Sequence, residues 1–307
     1  MSLLSICEVP APAKLNLFLH VVGRRDDGYH LLQSVFLLID WCDTLHFERR
    51  QDGRLLRDDL GPALPADVLS LRAARALQQA SGCTWGVDLS VDKQVPWGAG
   101  LGGGSSDAAS TLLALNRLWG LHWPRRRLLA LALSLGADVP FFVGGHNAFV
   151  EGIGERLTPL PQQALPRQAY AVVKPAQALP TASIFASPLL ARKTEAVIVM
   201  SFLAHAELRG RLASGYGRND LQPPAEVCCA EIAGVASWLS ARFGNSRMSG
   251  SGSAVFARVE QDQGLTGTGG PPEATGPSVA LFTALPAGWV GRMCRSLDHH
   301  PLVAWAD

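Results

Sequence analysis

Pro96-Trp97-Gly98-Ala99-Gly100-Leu101-Gly102-Gly103-Gly104-Ser105-Ser106 joins an alternating segment to a helical one, and no other stretch of the chain is better suited to chemistry. Glycines let the backbone take positive φ and approach a ligand closely. A helix starting at the end of the run presents free N–H groups and the positive end of its dipole. Polyphosphate is the natural guest of such a cradle. Gly98, Gly100 and Gly103 formally satisfy the dinucleotide-binding fingerprint. However, the strand before them alternates polar and apolar residues where that fold has an apolar one, and no acidic residue follows near 118–125 to hold a ribose. The chain has no Gly-Lys dipeptide and therefore no Walker A loop, and it lacks the His-Arg-Asp and Asp-Phe-Gly signatures of protein kinases. A different nucleotide-binding family is required.

The elements that must hold this loop are legible from periodicity. Val87, Leu89 and Val91 alternate with Asp88, Ser90 and Asp92, which predicts a half-buried strand running into the loop. Beyond it, Ala108, Leu112, Leu115 and Trp119 share one helical face, and Gly120 is placed to end that helix. Pro124 suits the first turn of the next helix, which stops at Gly136. Residues 14–22 have the two-residue period of a strand, so Lys14 and Asn16 face the same way. The segment 23–30 is turn-rich, 35–39 resumes a strand, and 66–80 predicts a helix. The proline-rich stretch 156–168 predicts a linker, with a boundary near 160. The second half predicts a strand over 169–175, helices over 196–213 and 225–242, and a strand–turn–strand over 246–259. A mobile surface loop is expected over 260–279.

Composition bounds what kind of protein this is. With 307 residues, 48% hydrophobic and 17% charged, the chain has material for a packed core and is no disordered tail. A net charge of +1 offers no cationic excess to neutralise a nucleic-acid backbone. The six cysteines, at 7, 42, 83, 228, 229 and 294, have neither zinc nor disulfide spacing, which predicts reduced buried thiols. No stretch approaches 18 consecutive apolar residues and the start lacks a signal pattern, so a soluble cytoplasmic protein is expected, with no membrane partner.

The loop over 96–109 resembles the second motif of the galactokinase, homoserine kinase, mevalonate kinase and phosphomevalonate kinase (GHMP) superfamily. Four further motifs, Pro12–Leu17, Gly23–His30, Leu135–Phe142 and Ser249–Ser253, narrow the resemblance to the 4-diphosphocytidyl-2-C-methyl-D-erythritol kinases. That resemblance implies an α+β fold of two domains, 1–160 and 161–307. The first would be like domain 2 of ribosomal protein S5 and bind ATP, the second would be ferredoxin-like, and the active site would lie in the cleft between them. It implies transfer of the γ-phosphate of ATP, with Mg2+, to the 2-hydroxyl of a cytidine-diphosphate-linked methylerythritol. It also implies a monomer or weak homodimer.

Residue by residue, the resemblance makes Asp138 the catalytic base and Lys14 the ammonium that keeps the carboxylate ionised and stabilises the incipient alkoxide. Tyr29, His30 and Phe185 match the positions that grip the cytosine, with Asn16, Phe36 and Thr181 nearby. Lys93, the loop residues 96–106, Gly250 and Gly252 match the ATP-binding positions, Trp97 being expected to wall the nucleotide pocket. Asn219-Asp220-Leu221 matches a helix-associated turn. No residue is indicated as a ligand of Mg2+. The chain departs from the family at Val68, where an asparagine is usual. Two other readings stay open at this level: another small-molecule GHMP kinase, of mevalonate or homoserine type, and a catalytically silent nucleotide-binding protein on the same scaffold.

Overall fold

The computed structural model describes residues 3–161, 164–197, 210, 215–260, 282 and 285–306. Two long strands, β1 (Ser5–Arg24) and β2 (His30–Arg50), open the chain and are joined by a short turn inside the 23–30 segment. Both run well past the expected 14–22 and 35–39. In β2 the alternation continues through Leu45 and Phe47, which enter a core. The strands β3 (Leu55–Asp59), β4 (Gly86–Asp92), β5 (Ala148–Gly152) and β6 (Arg156–Pro159) complete a six-stranded sheet. One edge of β2 carries β1, while the other carries β5 along residues 32–36 and β4 along residues 44–50. The middle of β2 is thereby left open to the loop after β4 and to the C-terminal segment.

The helices α1 (Leu69–Ser81), α2 (Gly103–Leu118), α3 (Arg125–Leu135) and α4 (Val139–Gly144) pack on this sheet. Leu77, Leu112, Leu115 and Phe141 meet Leu45 and Phe47 in one cluster of buried side chains. The helix expected around Ala108 starts at Gly103, so the end of the glycine run is already helical. Small residues are needed there, because a Cβ on Gly103 would stand 3.1 Å from Val95.

A second, four-stranded antiparallel sheet has the order β10-β7-β9-β8, built from β7 (Ala169–Lys174), β8 (Arg247–Met248), β9 (Val255–Val259) and β10 (Val290–Arg295). Between β7 and β8 the chain forms α5 (Thr181–Ala186), α6 (Gln222–Cys228) and α7 (Ala230–Phe243), a ferredoxin-like arrangement. The single helix expected over 225–242 is therefore two, broken at Cys229, which takes an extended conformation and puts its side chain into the core beside Ile232. Part of the expected linker is a strand. β6 pairs with β5 at the edge of the first sheet, where the prolines are tolerated. The helix expected over 196–213 and the loop expected over 260–279 fall almost entirely outside the described residues.

Beyond β10 the chain returns to the first sheet. The N–H of Leu297 donates to the carbonyl of Leu38 at 2.8 Å, that of His300 to Gly145 at 2.8 Å, and that of Arg125 to Ala306 at 2.9 Å. Leu302 and Ala306 close the first core, so the last residues of the expected 161–307 unit pack on the other one. All six cysteines are free, but only Cys229 and Cys294 are buried; Cys7 and Cys228 are exposed. No helix among the described residues is long and apolar enough to cross a membrane.

Candidate active site

The glycine run lies between β1 and the turn that links β8 to β9. The N–H of Lys14 donates to the carbonyl of Leu101 at 2.9 Å, that of Ala254 to Ala99 at 3.0 Å, and that of Ser253 to Gly98 at 3.3 Å. Gly100 has φ +71°, and a Cβ there would stand 2.1 Å from the carbonyl oxygen of Ser249. Gly102 caps α2 with φ +72° and makes no side-chain cap. Ser106 is the residue whose N–H bonds back to Gly102, so the amides of Gly103, Gly104 and Ser105 start the helix without intrahelical partners. They open onto a cavity of about 490 Å³. Its lining includes residues 96–105 and, from the facing turn, Gly250, Ser251 and Gly252. Free amides and a positive helix end at a concave wall make an anion cradle.

Lys14 and Asp138 line the same cavity. The Lys14 ammonium stands 3.6 Å from Asp138 Oδ2, donates to Asn16 Oδ1 at 2.5 Å, and lies 4.4 Å from the centre of the Phe36 ring. Burial pushes the Lys14 pKa below its usual 10.5, and the Asp138 carboxylate opposes that shift. Asp138 precedes α4, whose Pro140 lies in the first turn, and it keeps 30% of its side chain exposed. A buried cation beside a partly open carboxylate suits the removal of a hydroxyl proton next to a developing negative charge.

Lys93 also lines the cavity, but its ammonium is engaged elsewhere. It bonds to Asp43 Oδ2 and, at 2.7 Å, to Asp107 Oδ2. Asp43 is fully buried, and its other oxygen accepts the N–H groups of Gln94 and Val95 at 2.7 Å each. Burial pushes the Asp107 carboxyl up to about 7, against the pull of Lys93. Its Lys93 partner's ammonium ties the strand-to-loop junction and α2 to the middle of β2. Ser106 is fully buried with its hydroxyl unpartnered and does not line the cavity, whereas Ser105 does.

The expected acceptor residues separate. Phe36, Asn16, Thr181 and Phe185 line the wall, and Thr181 Oγ1 is hydrogen-bonded to Ser251 Oγ at 2.8 Å, tying α5 to the glycine turn. His30 stands behind the wall: its ring stacks on Phe185 with centroids 5.2 Å apart, and its Nε2 accepts from Arg192 Nε at 3.3 Å. Tyr29 is 60% exposed on the turn between β1 and β2 and does not line the cavity. Trp97 lines the mouth, 53% exposed. Asn219 donates to the carbonyls of Met248 and Gly250 at 2.8 Å each, which makes it a brace for the second glycine turn.

Several contributors escaped the sequence. Asp43 is a carboxylate without a local motif and Ser34 a serine among many, while Asp107, Ser249 and Ser251 lie inside motifs that do not single them out. Period two along β2 was the available signal for Ser34, because Asn16 pairs with Phe36 and Ser34 shares that face two residues away.

Two family models match the chain, the N-terminal domain of GHMP kinases over residues 69–146 and the C-terminal domain of GHMP kinases over residues 200–265. The chain is 63% identical over 308 residues to the 4-diphosphocytidyl-2-C-methyl-D-erythritol kinase of Methylibium petroleiphilum, covering 100% of both chains. It is 52% identical to the enzyme of that name from Albidiferax ferrireducens, covering 98% of this chain and 96% of the other. Among solved structures it is similar to a crystal structure of 4-(cytidine 5'-diphospho)-2C-methyl-D-erythritol kinase, with a TM-score of 0.74 and 36% identity over 94% of this chain and 98% of that one. The homoserine kinase of Cytophaga hutchinsonii shares the fold at a TM-score of 0.66 and 17% identity, over 96% and 95% of the two chains. Identity sustained from end to end at this level leaves no room for a different lineage. The chain belongs to the 4-diphosphocytidyl-2-C-methyl-D-erythritol kinase family of the GHMP kinases.

Proposed function

We propose that this chain transfers the γ-phosphoryl group of ATP to the 2-hydroxyl of 4-diphosphocytidyl-2-C-methyl-D-erythritol, a step of non-mevalonate isoprenoid synthesis. The observation that carries this reading is the meeting of Lys14 and Asp138, 3.6 Å apart, on the wall of the cavity that the glycine cradle lines. The relatives' shared name supplies the acceptor. Asp138 Oδ2 receives the hydroxyl proton as the acceptor oxygen bonds to phosphorus and the bond from phosphorus to the bridging oxygen of ADP breaks. The Lys14 ammonium neutralises charge on the attacking oxygen, and the first amides of α2 hold the phosphates in line. Phe185, with His30 stacked behind it, offers the flat apolar face a cytosine needs.

Mg2+ would arrive with the nucleotide, its shell completed by phosphate oxygens and water. Ser105, at the cradle, offers a hydroxyl to it. The ion, when bound, neutralises charge on the β- and γ-phosphates. The division near residue 160 is supported by the break between β6, in the first sheet, and β7, in the second.

The test is ADP release from Mg-ATP with the cytidylylated alcohol, run beside mevalonate and homoserine. Turnover should be confined to the first acceptor, and Asp138→Asn should lower kcat by roughly two to four decades. Preference for mevalonate or homoserine would reassign the substrate. Full activity of Asp138→Asn would remove the base.

A further inference from the structure

The Lys14 ammonium is held by the Asn16 amide oxygen, and an asparagine amide can face either way. The ammonium only donates and so calls for the amide oxygen, and the group that receives the amide NH2 lies one strand over. Between Asn16 and Leu19 on β1 the register with β2 slips by one residue. At that bulge the Ser34 hydroxyl, on β2, donates to the main-chain carbonyl of Phe18 at 2.5 Å. A carbonyl only accepts, so the single proton of Ser34 is committed there, and Ser34 can offer nothing but lone pairs to its other neighbour. That neighbour is Asn16 Nδ2, at 2.8 Å. The amide must therefore turn its NH2 toward Ser34 and its oxygen toward the Lys14 ammonium. Ser34 and Asn16 are 2% and 1% exposed, at the wall of the cavity.

We propose that Ser34 is a positioning residue for the phosphoryl-transfer step: by fixing the direction of the Asn16 amide it holds the Lys14 ammonium beside Asp138 and the acceptor oxygen. This rests on the function proposed above. Without the hydroxyl the Asn16 NH2 loses its acceptor and the amide is no longer anchored to β2. The ammonium then rests on a loosened acceptor, and a buried donor is left unmatched, where that is most destabilising.

A double-mutant cycle tests the coupling. Ser34→Ala should lower kcat about ten- to hundredfold while KM for ATP stays within about threefold, and Ser34→Thr, which keeps the hydroxyl, should recover most of the loss. In an Asn16→Ala background the same Ser34→Ala change should alter kcat by less than about twofold, because its route is already cut. Equal factors in both backgrounds, or a Ser34→Ala enzyme as fast as the unmodified one, would overturn the proposal. A second measurement needs no acceptor. The Lys14 ε-carbon resonance, titrated by NMR in the unliganded protein, should move to lower pH in Ser34→Ala and hold in Ser34→Thr, whichever alcohol proves to be the substrate. An unmoved titration in Ser34→Ala would refute the relay even if the kinase reading stands. Absence of turnover by the unmodified enzyme, with the titration shifted as expected, would sink the kinase reading and leave the relay intact.

Discussion

Lys14 is a cation that the fold has almost sealed from water, at 3% exposure, and it is kept useful by Asp138, Asn16 and the Phe36 ring. Lys14→Ala should slow turnover by roughly two to four decades with nucleotide binding retained, as the loss of electrostatic help to a transition state does. A change of less than about threefold would rule that role out. The pH dependence has a definite sign. The step needs the ammonium, burial lowers its pKa from 10.5, and activity therefore falls with rising pH earlier than an exposed lysine would allow. An alkaline limb of kcat at or above the ordinary lysine value would contradict this. Lys93 answers to a different measurement. Removing it strands Asp43 and Asp107 as two buried carboxylates, so Lys93→Ala should lower unfolding free energy by about 3–5 kcal/mol in urea titration. Unchanged stability with weakened ATP binding would return Lys93 to the nucleotide.

Among the elements, the glycine loop works because it is clamped from two sides, by β1 at Leu101 and by the β8–β9 turn at Gly98 and Ala99. Gly100→Ala forces a Cβ onto the Ser249 carbonyl at a positive φ. It should abolish ATP binding in calorimetry while the far-ultraviolet circular dichroism is kept. Normal affinity in that variant would mean that the loop does not need this clamp. The C-terminal segment has a latch of its own in His300. It is fully buried, its N–H donates to the Gly145 carbonyl, and its Nδ1 accepts from the N–H of Leu302 at 3.0 Å. Burial, aided by the charge of Arg125, lowers its pKa from 6.5 to about 3. Below 6.5 the unfolded chain takes up a proton that the folded one refuses. Stability from this group is therefore complete above 6.5 and declines as pH falls toward about 3. Thermal melts of His300→Gln should show a shallower decline over that window, and an unaltered slope would assign the acid sensitivity elsewhere.

At the scale of the molecule, the two sheets share a core. Leu15, Phe18, Leu37 and Phe149 of the first pack in one cluster with Tyr170, Val172 and Phe256 of the second. Strand β1 is the common element, since Leu19 and Val21 go on into the core beneath α7. The C-terminal segment, crossing back to α3 and α4, adds a second tie. Units joined in this way should not melt separately. Calorimetry should give one transition, with tryptophan fluorescence and circular dichroism coinciding, and Phe18→Ala should lower stability by about 3–5 kcal/mol without splitting it. Two resolved transitions would mean that the shared core contributes little.

Periodicity located β4, α1, α3 and β7 to within a few residues, because each has a face of regular apolar spacing, and the glycine run announced a phosphate cradle through its composition. Lys14 and Asn16 were already on one face by the two-residue period. Local pattern could not show that Asp138 would meet them, because that distance is closed by α2 and α4 folding onto the sheet. For the same reason local pattern could not show that Asp43, fifty positions earlier, would pair with Lys93. His30 and Tyr29 looked alike as neighbours on a loop, yet α5 brings Phe185 in front of one and leaves the other in water. The one-dimensional chain carried the types of the reacting groups and the secondary structure around them, since both depend on near neighbours. Which charges pair, which are buried and which remain for substrate depend on contacts between distant parts of the chain, such as Lys14 with Asp138 and Lys93 with Asp43, and those exist only once the sheets have packed.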